Sequence, residues 1–454
     1  MQKWLFRLLK WSAVFVSVLL TLYAIVSTYT GPRANEAVQR VRDQMAHRAP
    51  VEDSVPADAD TTEGSIGNFN DSETLSVRVR WKRVFTDLDE QFGDDLVLIR
   101  LSDNAGFRLA VDLYLGKKAF ANLSECELDS LATLINENED VLLEVLELTQ
   151  PEMPVCRFSY KDRNQYCLVE ILLSADIVMN YVNEAYDEVI QDLFGHAKIS
   201  IANPRVESSR LYANLMPIIA GTLESDTIDP DTWPRLFTEL RTVGDHELFA
   251  ESAPRMTADC IEWIANLPES DRDTFAGDEV GWATFRLGCL VLKPIRDYNL
   301  PLHSQALPDI IALSPLPYFE ARDELQRVRK KFFFEPARSE PPLWARNRGY
   351  IPKELIFSGF EKQAELEATV DMICLAIALK LYNDEHGAFP ETLDALADSF
   401  GGQIPINPLS GEPYEYQRLD DGFSLAYSWQ TETGLTRRVW PRSNKTFTTD
   451  SSAP

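Results

Sequence analysis

The alternation of apolar and polar positions divides the chain into three regimes. The first has no alternation: "WSAVFVSVLLTLYAIVSTYTGP", Trp11 to Pro32, carries no charge and follows a head bearing Lys3, Arg7 and Lys10. About 20 apolar residues rising 1.5 Å each cross a hydrocarbon layer of about 30 Å. Trp11, Tyr23 and Tyr29 fall where interfacial aromatics are expected. A cleaved signal peptide wants a shorter apolar run and an A-x-A site, and "IVSTYTG" supplies none. The pattern predicts a cytoplasmic tail over residues 1–10, a transmembrane anchor over 11–30 and the bulk of the chain outside the cytoplasm.

Residues 31–74 read as an amphipathic piece, with Ala34, Val38, Val41 and Met45 on one face, followed by a polar tether rich in Pro, Gly and Ser. The second regime has period two. "LSVRVRW" (75–81), "LVLIRL" (96–101) and "FRLAVDLYL" (107–115) alternate as half-buried strands do, and predict a small β element.

From Ser124 the period becomes helical. Ser124 and Glu127 form a capping box ahead of Leu128, Leu131 and Leu134. One continuous stripe runs from Leu168 through Ile171, Val178, Val182 and Val189 to Leu193, with Gly195 placed to end the helix and His196 beside its C-terminal carbonyls. Asp229 with Pro230 predicts a later helix start, and "ADCIEWIANL", "EVGWATFRLGCLVLKPI" and "YFEARDELQRVRKKFFF" continue the run. Residues 75–345 are thus a mostly helical domain. In 346–454 a helix with Leu366, Val370, Ile373, Ile377 and Leu381 on one face stops at Gly387. A short helix and two strand-like pieces, Tyr414–Tyr416 and Phe423–Tyr427, follow. The fold class is mainly α, with a C-terminal α+β module.

A net charge of −27 and a pI near 4.6 exclude a nucleic-acid partner, which needs a basic footprint. Six cysteines without CxxC spacing and five scattered histidines predict no metal centre, and no cofactor motif is present. "DLDEQFGDD" (87–95) misses the calcium-loop pattern, with Gly93 at place seven and Leu98 where the bidentate Glu belongs. No catalytic residue is singled out. His386, beside Asp384 and Glu385, reads as a helix C-terminal residue favoured by the dipole.

The order "YNDEHGAFPETLDAL", "IPINPLSGEPYEY", "DGFSLAYSW" resembles the globular half of the type II secretion major pseudopilins. The matching positions are Tyr382, Gly387, Phe389, Pro390, Leu393, Leu396, Pro405, Asn407, Pro408, Gly411, Tyr414 and Tyr416. The resemblance covers roughly the last fifth of the chain. It implies a helix packed on a small antiparallel sheet. The chain departs from the family after Gly359–Phe360, where Ala364 takes the place of the glutamate and charged residues replace the apolar stem. Prepilin processing and fibre assembly are therefore not expected. Only Glu432 stands where some pseudopilins place calcium-binding acids. The wider layout resembles a group of uncharacterised bacterial membrane-anchored proteins, which implies an architecture and no reaction.

These readings lead to a single-pass inner-membrane protein whose bulk lies in the periplasm. It would touch the bilayer through residues 11–30 and other envelope proteins through its C-terminal module, as a scaffold or secretion-associated component. The alternative is an envelope hydrolase without a recognisable motif.

Overall fold

The computed structural model describes residues 2–46, 72–92, 104–150, 163–202, 208–249, 304–334 and 353–441, apart from a few positions within them, with isolated positions at 153 and between 250 and 304. It is mainly helical, with one three-stranded antiparallel sheet near the C-terminus. The chain forms two compact units, one from residues 1–65, 250–315 and 321–357, the other from 66–249, 316–320 and 358–454.

In the first unit α1 (Gln2–Ala46) is a continuous helix that carries Pro32 inside it. The proline has no N–H to give to the ladder, so one intrahelical bond is missing there. Side chains of residues 1–20 lie outside the described residues. Further along, Ala34, Ala37, Val38 and Val41 are buried while Glu36, Arg40 and Asp43 are exposed. The predicted amphipathic face is therefore present. Helix α10 (Leu307–Leu313) buries Leu307, Ile310 and Leu313. The 321–329 part of α11 (Tyr318–Arg329) buries Ala321, Leu325 and Val328 at the same spacing. "EVGWATFRLGCLVLKPI" and most of "ADCIEWIANL" lie outside the described residues.

The second unit opens with α2 (Ser72–Phe92), which corrects the strand expected at 75–81. Val77, Trp81, Val84, Phe85 and Leu88 are buried at helical spacing, whereas Val79 points outward. Seven residues were too few to separate the two periods. The strand expected at 107–115 is likewise helical, in α3 (Ala105–Tyr114). Phe107, Leu109, Ala110, Val111, Leu113 and Tyr114 are all buried, which leaves only a narrow outward face of Ala105, Arg108 and Asp112 to carry the helical period. Its first turn is capped by the Asn104 side chain, which accepts from the Phe107 N–H at 3.0 Å. The expected strand at 96–101 lies outside the described residues.

Helix α4 (Glu125–Glu137) begins with the predicted capping box. Helix α5 (Glu139–Leu148) follows, and α2 is tied to it where Arg80 Nε donates to Glu144 Oε1 at 2.6 Å. The long stripe from Leu168 is two helices, α6 (Arg163–Val182) and α7 (Tyr186–Ala202). They are separated by a turn in which Glu184 takes φ +59. Gly195 sits inside α7, where an added Cβ would meet Thr149 Oγ1 at 3.2 Å and Leu173 at 3.4 Å. It marks close helix packing and not a helix end, so His196 is a core residue. Among the described residues one window, Gln165–Val182, is long and apolar enough to cross a membrane, and 67% of it is buried inside the protein.

Helices α8 (Ser208–Leu223) and α9 (Thr232–Val243) complete this part. α9 starts two residues later than Pro230, because Asp229 Oδ1 accepts from the Asp231 N–H at 3.0 Å and makes a turn of its own first. The centre of the unit is α12 (Lys353–His386), buried on nearly every side from Gln363 to Leu379. On one flank its Phe360 meets Phe249 edge-on at 5.0 Å, and Val370 lies 3.1 Å from where a Gly244 Cβ would stand. Gly387, at φ +70, ends it as predicted. A 3-10 helix (Leu393–Phe400) leads to β1 (Glu415–Leu419), β2 (Gly422–Thr431) and β3 (Gly434–Val439), ordered β1-β2-β3.

Candidate functional site

Two groups of polar side chains are built into the second unit. The first crosses α6 and α7. Glu170 and Ser174 lie four apart in α6, as His196 and Ser200 do in α7, so each pair shares a helix face. Tyr114 Oη donates to Glu170 Oε2 at 2.8 Å, Ser174 Oγ donates to the Glu170 carbonyl at 2.6 Å, and Ser174 Oγ lies 3.3 Å from His196 Nε2. A serine beside a histidine is the start of a nucleophile–base pair. Here the pair is sealed: His196 is 0% and Ser174 3% exposed, and among the described residues no acceptor meets His196 Nδ1 to orient the ring. Burial alone pushes the imidazole down to about 3, so the ring is neutral. The group is a buried polar seam between α6 and α7.

The second group joins α12 to the sheet. Arg438 Nη1 donates to Thr369 Oγ1 at 2.6 Å and to Tyr427 Oη at 3.0 Å, and Thr369 Oγ1 lies 3.2 Å from Tyr427 Oη. Tyr414 Oη donates to the Ala368 carbonyl at 3.2 Å and to Asp371 Oδ2 at 3.1 Å. Loss of water, then the nearby Glu367, push the Asp371 carboxyl up to about 7, against the Tyr414 bond and Arg241. Glu367 is held in turn by His246 Nδ1 at 2.8 Å. Among the described residues no group of three potential ligands is placed to hold a metal.

The twelve positions singled out from the sequence fall around this joint. Tyr382 stacks on His386 at 4.0 Å, just before Gly387. Phe389 meets Phe423 edge-on at 5.3 Å, while Leu393 and Leu396 are buried against the core. Tyr416 Oη donates to the Pro390 carbonyl at 2.7 Å, tying β1 to the corner. Pro405, partly buried, enters the next turn, which Asn407 organises. Its Oδ1 accepts from the Leu409 N–H at 3.0 Å, and its Nδ2 donates to Ser410 Oγ at 2.8 Å and to the Ser428 carbonyl at 2.9 Å. The Pro408 carbonyl accepts from the Phe319 N–H at 3.1 Å. Gly411, at φ +77, lies under the Phe319 ring, which an added Cβ would approach to 2.8 Å. These residues build a corner and a docked sheet.

Gly411→Ala therefore combines a left-handed backbone with a ring clash. It is expected to cost roughly 2–4 kcal/mol, read from urea unfolding midpoints. Adding Phe319→Ala in the same chain relieves the clash but not the backbone term. If Gly411→Ala costs the same with and without Phe319, the ring is not the obstacle.

The outward face of the module is apolar in places. Leu435 is 72%, Val439 43% and Ile406 41% exposed. Leu435 and Val439 flank Arg437 on β3, an edge strand with no further strand beside it among the described residues. Arg437 Nη2 is neutralised by Glu415 Oε2 at 2.7 Å. His386 ends α12 with Nδ1 3.0 Å from the Tyr382 carbonyl, as a helix terminus requires. The sequence reading does not include the third strand or the Arg438 joint: "GLTRRV" has three polar residues in succession and no apolar–polar alternation to announce a strand. Comparison of the chain with known protein families, with curated proteins and with solved structures finds no match.

Proposed function

We infer that the protein is a membrane-anchored, extracytoplasmic scaffold of the bacterial envelope, presenting its C-terminal module to another envelope protein. The observation that carries this reading is the pair Leu435 and Val439, exposed on a strand whose outer edge meets no further strand among the described residues. A strand edge offers free backbone donors and acceptors to a partner strand, and apolar residues beside it supply the contact energy. The charge-free run Trp11–Pro32, within the continuous helix α1, supports an anchor at 11–30 with the bulk in the periplasm. Long helix, 3-10 helix, Asn407 turn and antiparallel sheet follow one another in the order that supports a pseudopilin-like module and a secretion-associated role. The sealed Ser174–His196 contact does not favour the hydrolase alternative.

Crosslinking in living cells followed by membrane solubilisation tests the reading. The full chain is expected in the membrane fraction with a specific partner. Leu435→Asp combined with Val439→Asp should keep the fold and lose that partner, while a chain lacking residues 1–30 should appear in the soluble fraction. Recovery of the full chain from the soluble fraction removes the anchor. An unchanged partner set in the double variant removes the strand-edge role.

A further inference from the structure

The edge strand β3 is chemically two-sided. Beyond its last residue, the Trp440 N–H donates to the Leu425 carbonyl at 2.7 Å, in the same register that pairs Tyr427 with Arg438. Bonded and non-bonded pairs alternate along an antiparallel ladder. Thr436 and Arg438 therefore direct their backbone groups to β2, while Leu435, Arg437 and Val439 turn theirs outward. The side chains alternate as well. Leu435 and Val439 stand exposed on the outer face, and Arg438 reaches inward to Thr369 of α12.

The inner face holds hydrogen-bond donors in surplus. Arg438 is half-buried, and its Nη1 is pinned by two neutral oxygens, Thr369 Oγ1 and Tyr427 Oη. Thr369 Oγ1 donates onward to the Glu365 carbonyl at 2.7 Å, and the Glu365 carboxylate is taken by Lys362 Nζ at 2.6 Å. Among the described residues no carboxylate pairs with Arg438, and its Nε and Nη2 meet no acceptor. Its neighbour Arg437, by contrast, has Glu415. Trp429 supplies a second, independent sign. Its ring lies 5.9 Å from Arg438 Cζ, and its Nε1–H is buried with no acceptor among the described residues. A guanidinium without a counter-charge beside an unmet indole N–H is matched by an anionic acceptor.

We propose that β3 takes an antiparallel strand from an acidic partner segment, with a carboxylate opposite Arg438 and apolar side chains opposite Val439 and Leu435. This rests on the strand-edge reading above and names what that edge selects. The added strand bonds to the outward groups of Leu435, Arg437 and Val439. Its residue opposite Arg438 then falls at a non-bonded pair, where Cα atoms approach to about 4.5 Å and side chains lie closest. Read from N to C, the partner is apolar opposite Val439, acidic at the next residue, and apolar again three residues later. A second copy of this chain fits poorly. Gly434–Val439 holds no carboxylate, and two such edges would set arginines against arginines. The net charge of −27 does not bar an acidic segment, because salt screens charges beyond about 10 Å.

Fluorescence anisotropy on the full chain in detergent tests this, with a labelled synthetic peptide centred on Val-Glu-Thr-Thr-Val. The peptide is expected to bind about tenfold more tightly than its counterpart with Gln in place of Glu. A version with proline for the central threonine lacks the N–H that faces Arg437 and should not bind. Arg438→Gln should bring the Glu and Gln peptides to within about twofold of each other. Leu435→Asp combined with Val439→Asp should lose both. Equal affinity of the two peptides for the parent overturns the proposal and leaves the strand edge itself to the crosslinking result. Binding of neither peptide overturns it too, as does discrimination that survives Arg438→Gln. If the peptide binds only a chain ending at Pro441, or only after dilution dissociates a dimer, the edge belongs to residues 442–454 or to a second copy, and the proposal falls. Should Arg438→Gln fail to fold, the peptide pair on the parent decides.

Discussion

Tyr427→Ala is expected to lower the unfolding free energy by about 3–5 kcal/mol, the range for removing a large buried aromatic. The residue is 1% exposed and sits where the sheet meets α12. Its ring stacks on Trp429 at 5.4 Å and meets Tyr414 edge-on at 5.8 Å. Its hydroxyl accepts from Arg438 and lies beside Thr369. Truncation removes the apolar contact and also withdraws one acceptor from a partly buried guanidinium. Tyr427→Phe separates the two effects. It keeps the ring and leaves Arg438 on Thr369 Oγ1, so a loss of about 1 kcal/mol is expected. Urea midpoints of both variants check the order. A cost under about 1 kcal/mol for the alanine variant would mean that the sheet is not docked on α12 through this residue.

The second large effect is an acid limb caused by His196. The ring is fully buried and neutral, with a folded value of about 3 against an ordinary value of 6.5. The folded state therefore binds fewer protons than the unfolded state between those limits. Stability from this group is complete above pH 6.5 and is lost as pH falls, by about 1.4 kcal/mol per unit and roughly 5 kcal/mol by pH 3. Asp176 and Asp371 act in the opposite sense, since their folded values are raised to about 6 and about 7. The clean measure is the difference between parent and His196→Gln, followed by urea unfolding from pH 7 to pH 3.5. The two curves should separate by several kcal/mol across that range, the variant losing less. Parallel curves would show that His196 accepts a proton while folded.

How much of this was legible depends on where polar residues stand. Helix ends written in side-chain chemistry were readable, as with Ser124 and Glu127 at the start of α4 or Gly387 after α12. So was the α12 stripe through Val370 and Ile377, because its length separated the helical period from chance. Segments buried on all sides were not. α3 has too few exposed positions to display a period, and α2 was misread because Val77, Val79 and Trp81 alternate by coincidence over one short window. The α6–α7 turn was invisible because neither Gly nor Pro announces it; the strain falls on Glu184. The polar seam left one trace, in Glu170 with Ser174 and His196 with Ser200 four apart in otherwise apolar helices. The exposed side of β3 was missed for lack of length, and the Arg438 joint because its partners lie far apart in the chain.

The unit built around α12 is assembled from distant parts of the chain, residues 66–249 and 358–454 with a short piece between. This has a consequence for biosynthesis. Buried faces of α9 and its neighbours are completed by Val370, Phe360 and Phe400, which follow residues 250–357. At about 5–20 residues per second, synthesis of that intervening stretch takes on the order of 5–20 s. For that interval the helical half has left the ribosome with an apolar surface that its own residues cannot cover. A chain arrested before Ser358 should bind holding chaperones or aggregate, and completion of α12 should end that dependence in a single step.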